Sequence, residues 1–275
     1  MPCFRIVLLV WLLAMPSIAA AQAPVAPEAA DPDARVDALQ PDFNLAALPT
    51  TLRMPRHRIA FRVTHRFTRP LGQGDLGDLA SDFFGFDSAA QIGLELRYGL
   101  ARGTQIGVHR TSDRTTQLFG QHSLLAQQEG SPIALDAIGT LEGANNLHSR
   151  YRSTLGVAAS HKIGRLAAVY AEPLLVVNSN ALANQGFDNN TLMVGLGGRL
   201  RIRPAAYLVA EVTPRVAGFK PGVSQVSFGL EGRAGGHLFQ LNVSNGFGTT
   251  LGQLAGGTFN NDNWYIGFNI ARKFF

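Results

Sequence analysis

The sequence predicts an all-β fold, a closed antiparallel transmembrane β-barrel. Apolar and polar residues alternate with a period of two from Ile59 to the last residue. The connections between these segments alternate between short and long. Charged residues are only 16% of the 275, while glycine fills 30 positions. A strand turns successive side chains to opposite faces, so period two describes strands with one apolar face. In lipid such a sheet has to close, because an open edge cannot be hydrated there.

The chain opens on features of an export signal. Arg5 supplies a positive start, Ile6 to Met15 form an apolar run, and Pro16 breaks it before Ala19, Ala20 and Ala21. A run of about ten apolar residues is too short to span a bilayer as a helix. The expectation is a signal peptide over 1–21, removed after Ala21 or Ala23. Cys3 is the single cysteine and precedes the apolar run, so the mature chain is expected to hold no disulfide or thiolate metal site. Residues 22–55 are rich in Ala, Pro and Asp, and read as a flexible periplasmic tether. The barrel is expected over 56–275, in the outer membrane of a Gram-negative bacterium.

The strands follow in order. Ile59, Phe61, Val63 and Phe67 oppose Arg62, Thr64, Arg66 and Thr68. Ile92, Leu94, Leu96 and Tyr98 oppose Gln91, Glu95 and Arg97. Tyr151, Leu155 and Val157 oppose Arg150, Arg152 and Thr154; Leu192, Val194, Leu196, Leu200 and Ile202 oppose Arg199 and Arg201. Leu208, Ala210 and Val212 oppose Tyr207 and Glu211, and Phe239, Leu241 and Val243 oppose Gln240, Asn242 and Ser244. Such segments number about twelve, with ten to fourteen allowed, each of the length a tilted membrane strand needs. The strands near 115–128 and 130–142 are the least regular, because Leu124-Leu125 and Ala137-Ile138 interrupt the alternation. Short turns fall near 99–103, 128–131, 162–165, 203–204 and 233–236, and longer loops near 70–88, 178–190 and 246–262. A barrel of the outer membrane shows this asymmetry, with the short turns in the periplasm.

A soluble barrel would carry Lys, Glu and Asp outward, and this chain has little Lys within its strands. The final strand places Trp264, Ile266, Phe268, Ile270 and Phe274 in one phase and Phe275 on the other face. An amphipathic last strand ending on phenylalanine is similar to the signal read by the outer-membrane assembly machinery. That machinery and outer-membrane lipid are the expected partners. Arg272 would lie at the lipid boundary within reach of phosphate.

Several local signatures resemble the bacterial membrane-bound β-barrel family labelled DUF5777. They are Thr64-His65-Arg66-Phe67, Phe83-Phe84-Gly85-Phe86-Asp87, Tyr98-Gly99, Gln121-His122-Ser123-Leu124-Leu125-Ala126-Gln127 and Asn245-Gly246-Phe247-Gly248-Thr249-Thr250. The resemblance spans about 55–275. It implies the fold and the location, and no activity.

Little in the chain carries chemistry. The arginines lie singly among alternating residues, which disfavours nucleic acid despite a net charge of +5. His65, His109, His122, His148, His161 and His237 lack metal-like spacing on any one element, so neither metal nor cofactor is expected. Ser123 and Ser160 adjoin His122 and His161, but neighbouring strand residues face opposite sides and form no local nucleophile–base pair. Asn260-Asn261-Asp262-Asn263 reads as a turn rather than a calcium loop. The informative set is the inward polar one: Arg62, Arg66, Glu95, Arg97, Arg150, Arg152, Glu172, Arg199, Arg201, Glu211, Glu231 and Arg233. Surplus arginine in a lumen of about twelve strands points to a passive channel for small solutes, anions favoured. Two alternatives stand beside it: a plugged structural or partner-binding barrel, in which Arg and Glu pair one-to-one, and an outer-membrane hydrolase.

Overall fold

The period-two pattern becomes a single sheet in the computed structural model, which describes residues 31–180 and 189–275. The proposed signal peptide and residues 22–30 lie outside the described residues, as do 181–188 of the loop between the seventh and eighth strands. In order, the strands are β1 Ile59–Phe67, β2 Ala90–Ala101, β3 Thr104–Thr111, β4 Thr116–Leu125, β5 Ala134–Gly143, β6 Ser149–Ile163 and β7 Ala167–Val177. They continue with β8 Thr191–Arg203, β9 Ala206–Val212, β10 Arg215–Gly218, β11 Val226–Ala234, β12 His237–Ser244 and β13 Tyr265–Lys273.

From β1 to β9 each strand pairs antiparallel with the next, β9 pairs on with β11, β11 with β12 and β12 with β13, and β13 pairs with β1, for example Val63 opposite Ile270. β9 and β10 are successive halves of one wall strand. Both pair with β8, on either side of Pro214, whose missing N–H cannot join the ladder. The result is a closed barrel of twelve strands.

Two irregularities in the sequence have separate physical causes. At Leu124-Leu125 the β4–β5 register shifts between Ser123 and Leu125, a β-bulge that turns both leucines outward. At Ala137-Ile138 no register shift occurs. Ile138 is buried inside the barrel, where an apolar surface awaits it.

The outer wall is mostly apolar. Leu94, Leu96, Leu155, Val169, Leu208, Leu230, Phe239 and Leu241 are all exposed on it, as a lipid-facing surface must be. Near the long-loop end His65 stacks on Phe268 with ring centroids 4.8 Å apart, and Phe67 meets Phe86 edge-on at 4.8 Å. Phe228 and Trp264 lie 5.3 Å apart in the same zone. These form an aromatic patch of the kind that sits at a membrane boundary.

The connections 102–103, 126–133, 164–166, 204–205 and 235–236 define a short-turn end, where β1 begins and β13 ends. The opposite end carries the loops 68–89, 112–115, 144–148, 178–190, 219–225 and 245–264.

The segment expected as a free tether is a correction. Residues 39–54 are inside the barrel, with Leu45, Leu48 and Met54 among its most deeply buried side chains. Six apolar side chains (Leu39, Phe43, Leu45, Leu48, Leu52 and Met54) outweigh the flexible look of the surrounding Ala, Pro and Asp. Burying each is worth roughly 1.5–3 kcal/mol.

Candidate functional site in the lumen

The buried segment is a hairpin that enters at the short-turn end. Asn44 bridges Pro49, Thr50 N–H donates to Phe43 O at 2.7 Å, and Leu45 N–H donates to Leu48 O at 2.8 Å. The tip is therefore Leu45-Ala46-Ala47-Leu48, a tight turn whose own ladder leaves most of its amides and carbonyls unpaired.

The barrel wall supplies partners of the right sign to both. Glu211 on β9 accepts the N–H groups of Ala46, Ala47 and Leu48, each at 3.0 Å. On the other side, Ala46 O accepts from Arg62 at 2.6 Å and from Asn269 at 3.1 Å. Gln240 donates to Leu45 O at 3.2 Å and Arg199 to Asn44 O at 2.9 Å. Further down, Gln121 donates to Thr50 O and Gln105 to Leu52 O. Hydrogen bonds with an ionised partner are about twice as strong as neutral ones, so Glu211, Arg62 and Arg199 dominate this grip.

The apolar side of the hairpin rests on β8. Inward-facing Gly195 and Gly197 are the seats of Leu48 and Leu45: a β-carbon at either position would collide with the leucine above it. Around them Ile138, Leu174, Val176, Met193 and Val209 form one apolar cluster with Leu39, Leu45, Ala47 and Leu48. At the base, Phe43, Leu52 and Met54 pack with Ala60 and Phe275. Beside the tip a space of about 30 Å³ remains between Asn44, Glu95, Arg97 and His109, room for about one water molecule.

The long-loop end is also filled. The loop between β12 and β13 dips inward as a short helix, Leu251–Gly256, and its Leu251, Leu254 and Ala255 join the same cluster. Thr250 caps this helix and donates its hydroxyl to Glu142 on β5, while Gln117 on β4 accepts Leu251 N–H at 2.9 Å.

At the short-turn rim the hairpin base is clasped by ions. Arg53 donates to Ser123 Oγ at 3.0 Å and pairs with Glu129 at 2.8 Å; Lys162 pairs with Asp37 at 2.7 Å. The Arg53 hydrogen bond and charge hold the Glu129 carboxyl below its ordinary range. Burial instead raises Asp33, against the opposing pull of Arg53.

The family described as "Membrane bound beta barrel domain (DUF5777)" matches residues 42–274. The chain belongs to this family. The match starts within the hairpin, so the family domain takes in the tip as well as the wall. No curated protein matches the chain. Among solved structures, the NanC porin is similar with a TM-score of 0.51 and 9% identity, covering 78% of this chain and 97% of the porin. An outer membrane channel from Pseudomonas putida F1 has a TM-score of 0.50 and 11% identity, covering 80% of this chain and 97% of the channel. A mutant Rh. blastica porin, of which the chain spans about half (55%), has a TM-score of 0.35 and 15% identity. The first two likenesses are of fold.

In this DUF5777 barrel the predicted inward residues divide by depth. Arg62, Arg66, Glu95, Arg97, Glu172, Arg199, Glu211 and Glu231 are buried in the lumen. Arg199 pairs with Glu231 at 2.6 Å and Arg97 with Glu95 at 2.9 Å, Arg97 lying between the rings of Phe43 and Phe119. Arg152 is at the long-loop mouth, 3.1 Å from Glu142, and Arg201 and Arg233 stand at the short-turn mouth, partly exposed. Arg150 departs from expectation. It is exposed, with a φ of 51° at the start of β6 where regular alternation has not begun.

The arginine surplus is not present inside. Among the described residues Asp33, Asp42, Glu95, Asp136, Glu142, Glu172, Glu211 and Glu231 are buried, against Arg62, Arg66, Arg97, Arg199, Arg215 and Lys273. Sequence reasoning took the arginines as solute ligands; several instead hold backbone carbonyls of the chain's own hairpin. Ser123 and Ser160, the residues weighed for hydrolysis, bond Arg53 and Thr51. His122 and His161 are turned to the outer face. The missed elements are the hairpin and its β8 seats. Their signal was the apolar residues in the inward phase of β5 to β9, which a water-filled lumen would not call for.

Proposed function

We propose that this barrel lies in the outer membrane with its short-turn end toward the periplasm, and that it is a small-solute channel held closed by its own N-terminal hairpin. The observation that carries this is the character of the contact. The tip is gripped through its backbone by Glu211, Arg62 and Arg199, and it is not a strand of the sheet. Behind it, the wall of β12, β13 and β1 to β4 presents Gln240, Asn242, Asn269, Arg62, Thr64, Glu95, Arg97, Gln105 and Gln121. Such a wall stays compatible with water after the hairpin leaves. The export signal, the last strand as an assembly signal and the channel-like neighbours support the location. Buried acids balance the arginines, so the reading carried forward is permeation without strong anion preference.

Thr51 Oγ1 and Ser160 Oγ lie 2.5 Å apart, so a Thr51→Cys/Ser160→Cys pair can lock the hairpin to β6. Single-channel recording in planar bilayers is the test, applied to wild type, the locked pair, and a variant lacking 39–54. Silence of the oxidised pair, with steps appearing on reduction and in the deletion, is expected. Equal conductance of oxidised and reduced forms would remove the gate. Silence of all three folded proteins would leave a permanently plugged, partner-binding or structural barrel. Reversal potentials in a salt gradient would decide the charge preference.

A further inference from the structure

The lumen holds two charged poles whose bonding capacity the hairpin leaves partly unused. Both meet at Ala46. Its N–H donates to Glu211 Oε2 at 3.0 Å, and its carbonyl accepts from Arg62 Nη2 at 2.6 Å. Carboxylate and guanidinium therefore stand one residue apart across the tip. On the donor side Arg62, Arg66 and Asn269, from the adjacent strands β1 and β13, converge on that one carbonyl oxygen, Arg66 Nη2 at 3.4 Å. Arg62 Nε and Nη1 and Arg66 Nε are buried with no hydrogen-bond acceptor among the described residues. Arg62 Nε approaches Asp42, which belongs to the hairpin, at 4.0 Å. A carboxylate would bring two oxygens and a full charge where the tip brings one neutral oxygen.

On the acceptor side Glu172 is opposite Gly195 in the β7–β8 register, and Glu211 is opposite Gly197 in the β8–β9 register. The two carboxylates thus flank the glycine seats, near enough for their charges to interact. Glu172 is fully buried, and neither of its oxygens accepts a hydrogen bond among the described residues. Leu48 covers it: a β-carbon on Gly195 would stand 2.7 Å from Leu48 Cδ2 and 3.3 Å from Glu172 Cβ. Departure of the tip uncovers this acid together with both seats. An ammonium would bring three donors to it, and the positive charge that a buried pair of carboxylates lacks.

We infer that the solute of the open barrel is a zwitterionic α-amino acid with an apolar side chain. Its ammonium lies between Glu211 and Glu172, its carboxylate on Arg62 and Arg66. Its side chain takes the Gly195–Gly197 seat that Leu48 and Leu45 vacate. This assignment rests on the gated-channel reading above. The tip closes the site by imitating the solute with one of its own residues, Ala46. An anion would meet the two carboxylates, and a cation the two guanidinium groups. A neutral polyol would leave both poles without counter-charge.

The test is solute uptake into vesicles carrying the full-length Thr51→Cys/Ser160→Cys protein in reduced form. The oxidised form gives the background, and ion conductance is recorded on the same preparation. Four probes are compared: leucine, N-acetylleucine without the ammonium, leucine amide without the carboxylate, and a neutral polyol of similar size. Leucine is expected to enter faster than each of the others by roughly tenfold, the effect of one charge-assisted hydrogen bond. Glu172→Gln, at a residue that makes none of the hairpin's hydrogen bonds, should bring leucine down toward N-acetylleucine. If that variant does not assemble, the four probes alone decide. Ion steps with equal entry of leucine and polyol would overturn the amino-acid assignment and leave the gated channel standing, as would fastest entry of N-acetylleucine. Neither steps nor uptake on reduction would overturn the channel and its solute together.

Discussion

A β-carbon placed on Gly197 would stand 2.4 Å from Cδ1 of Leu45, far inside van der Waals contact. The hairpin tip occupies the volume that any other residue at this position would claim. Gly195 stands in the same relation to Leu48, at 2.7 Å. A strand interior gains nothing from glycine, so the pair marks where another part of the chain must come close. Valine at Gly197 suits the strand itself but overpacks its seat, at a cost of about 1–3 kcal/mol. Gly197→Val is expected to leave the barrel folded while exposing the hairpin to trypsin at Arg53. Unchanged protection at Arg53 would show that the tip does not need the seat.

Removing the charge of Glu211 should loosen the tip from the opposite side. Glu211→Gln keeps the size of the side chain but weakens the three amide bonds at 46–48, at a cost of roughly 1.5–3 kcal/mol. Hydrogen exchange at Ala46, Ala47 and Leu48 should accelerate while the strand amides of β9 keep their protection. Equal acceleration in β9 would mean that Glu211 supports the wall rather than the hairpin.

The clasp at the rim should respond to pH. The Glu129 carboxyl is held below its ordinary value of 4.5 by its hydrogen bond to Arg53 and by the charge of that arginine. A carboxyl whose pKa is lowered on folding contributes stability above its unfolded pKa, and that contribution is lost as pH falls through the folded value. The base of the hairpin should therefore loosen below about pH 4.5. Asp33, raised by burial, acts in the opposite sense, favouring the folded form as pH falls. Comparing proteolysis at Arg53 against pH in wild type and Glu129→Gln separates them. The variant should lack the acid-induced step, and an identical step in both would clear Glu129 of the effect.

The lipid face can be tested without touching the lumen. Leu155, on the outer face of β6, is 63% exposed. Leu155→Arg should destabilise the barrel in bilayers by about 2–4 kcal/mol if the residue lies near the midplane. Urea unfolding in vesicles measures this, and an unchanged midpoint would place Leu155 outside the hydrocarbon.

Much of the wall was legible because lipid enforces alternation at every position it touches. Ile92, Leu94, Leu96 and Tyr98 announce an outer face, and Glu95 and Arg97 the inner one. The ambiguous stretches were ambiguous for cause. A bulge displaced Leu124-Leu125, and an apolar partner inside the lumen allowed Ile138 to turn inward. The hairpin was illegible because Leu39, Phe43, Leu45, Leu48, Leu52 and Met54 mix helical spacing (45, 48, 52) with strand spacing (43, 45 and 52, 54) and sustain neither. Their spacing answers to the seats that β8 and its neighbours offer, which are distant in sequence. The lumen arginines were found at their places, but their partners were not, because backbone carbonyls of the tip carry no mark in the sequence.

The hairpin runs directly into β1 through residues 55–58, and this short leash would set how the proposed closure behaves. Under the proposed gating, plug and pore are one molecule, so dilution cannot separate them. A released tip remains at the mouth at an effective concentration of order millimolar. Weakening the grip at Glu211 or Gly197 should then lengthen brief openings rather than create a permanently open pore. Only cutting the leash would abolish reclosure.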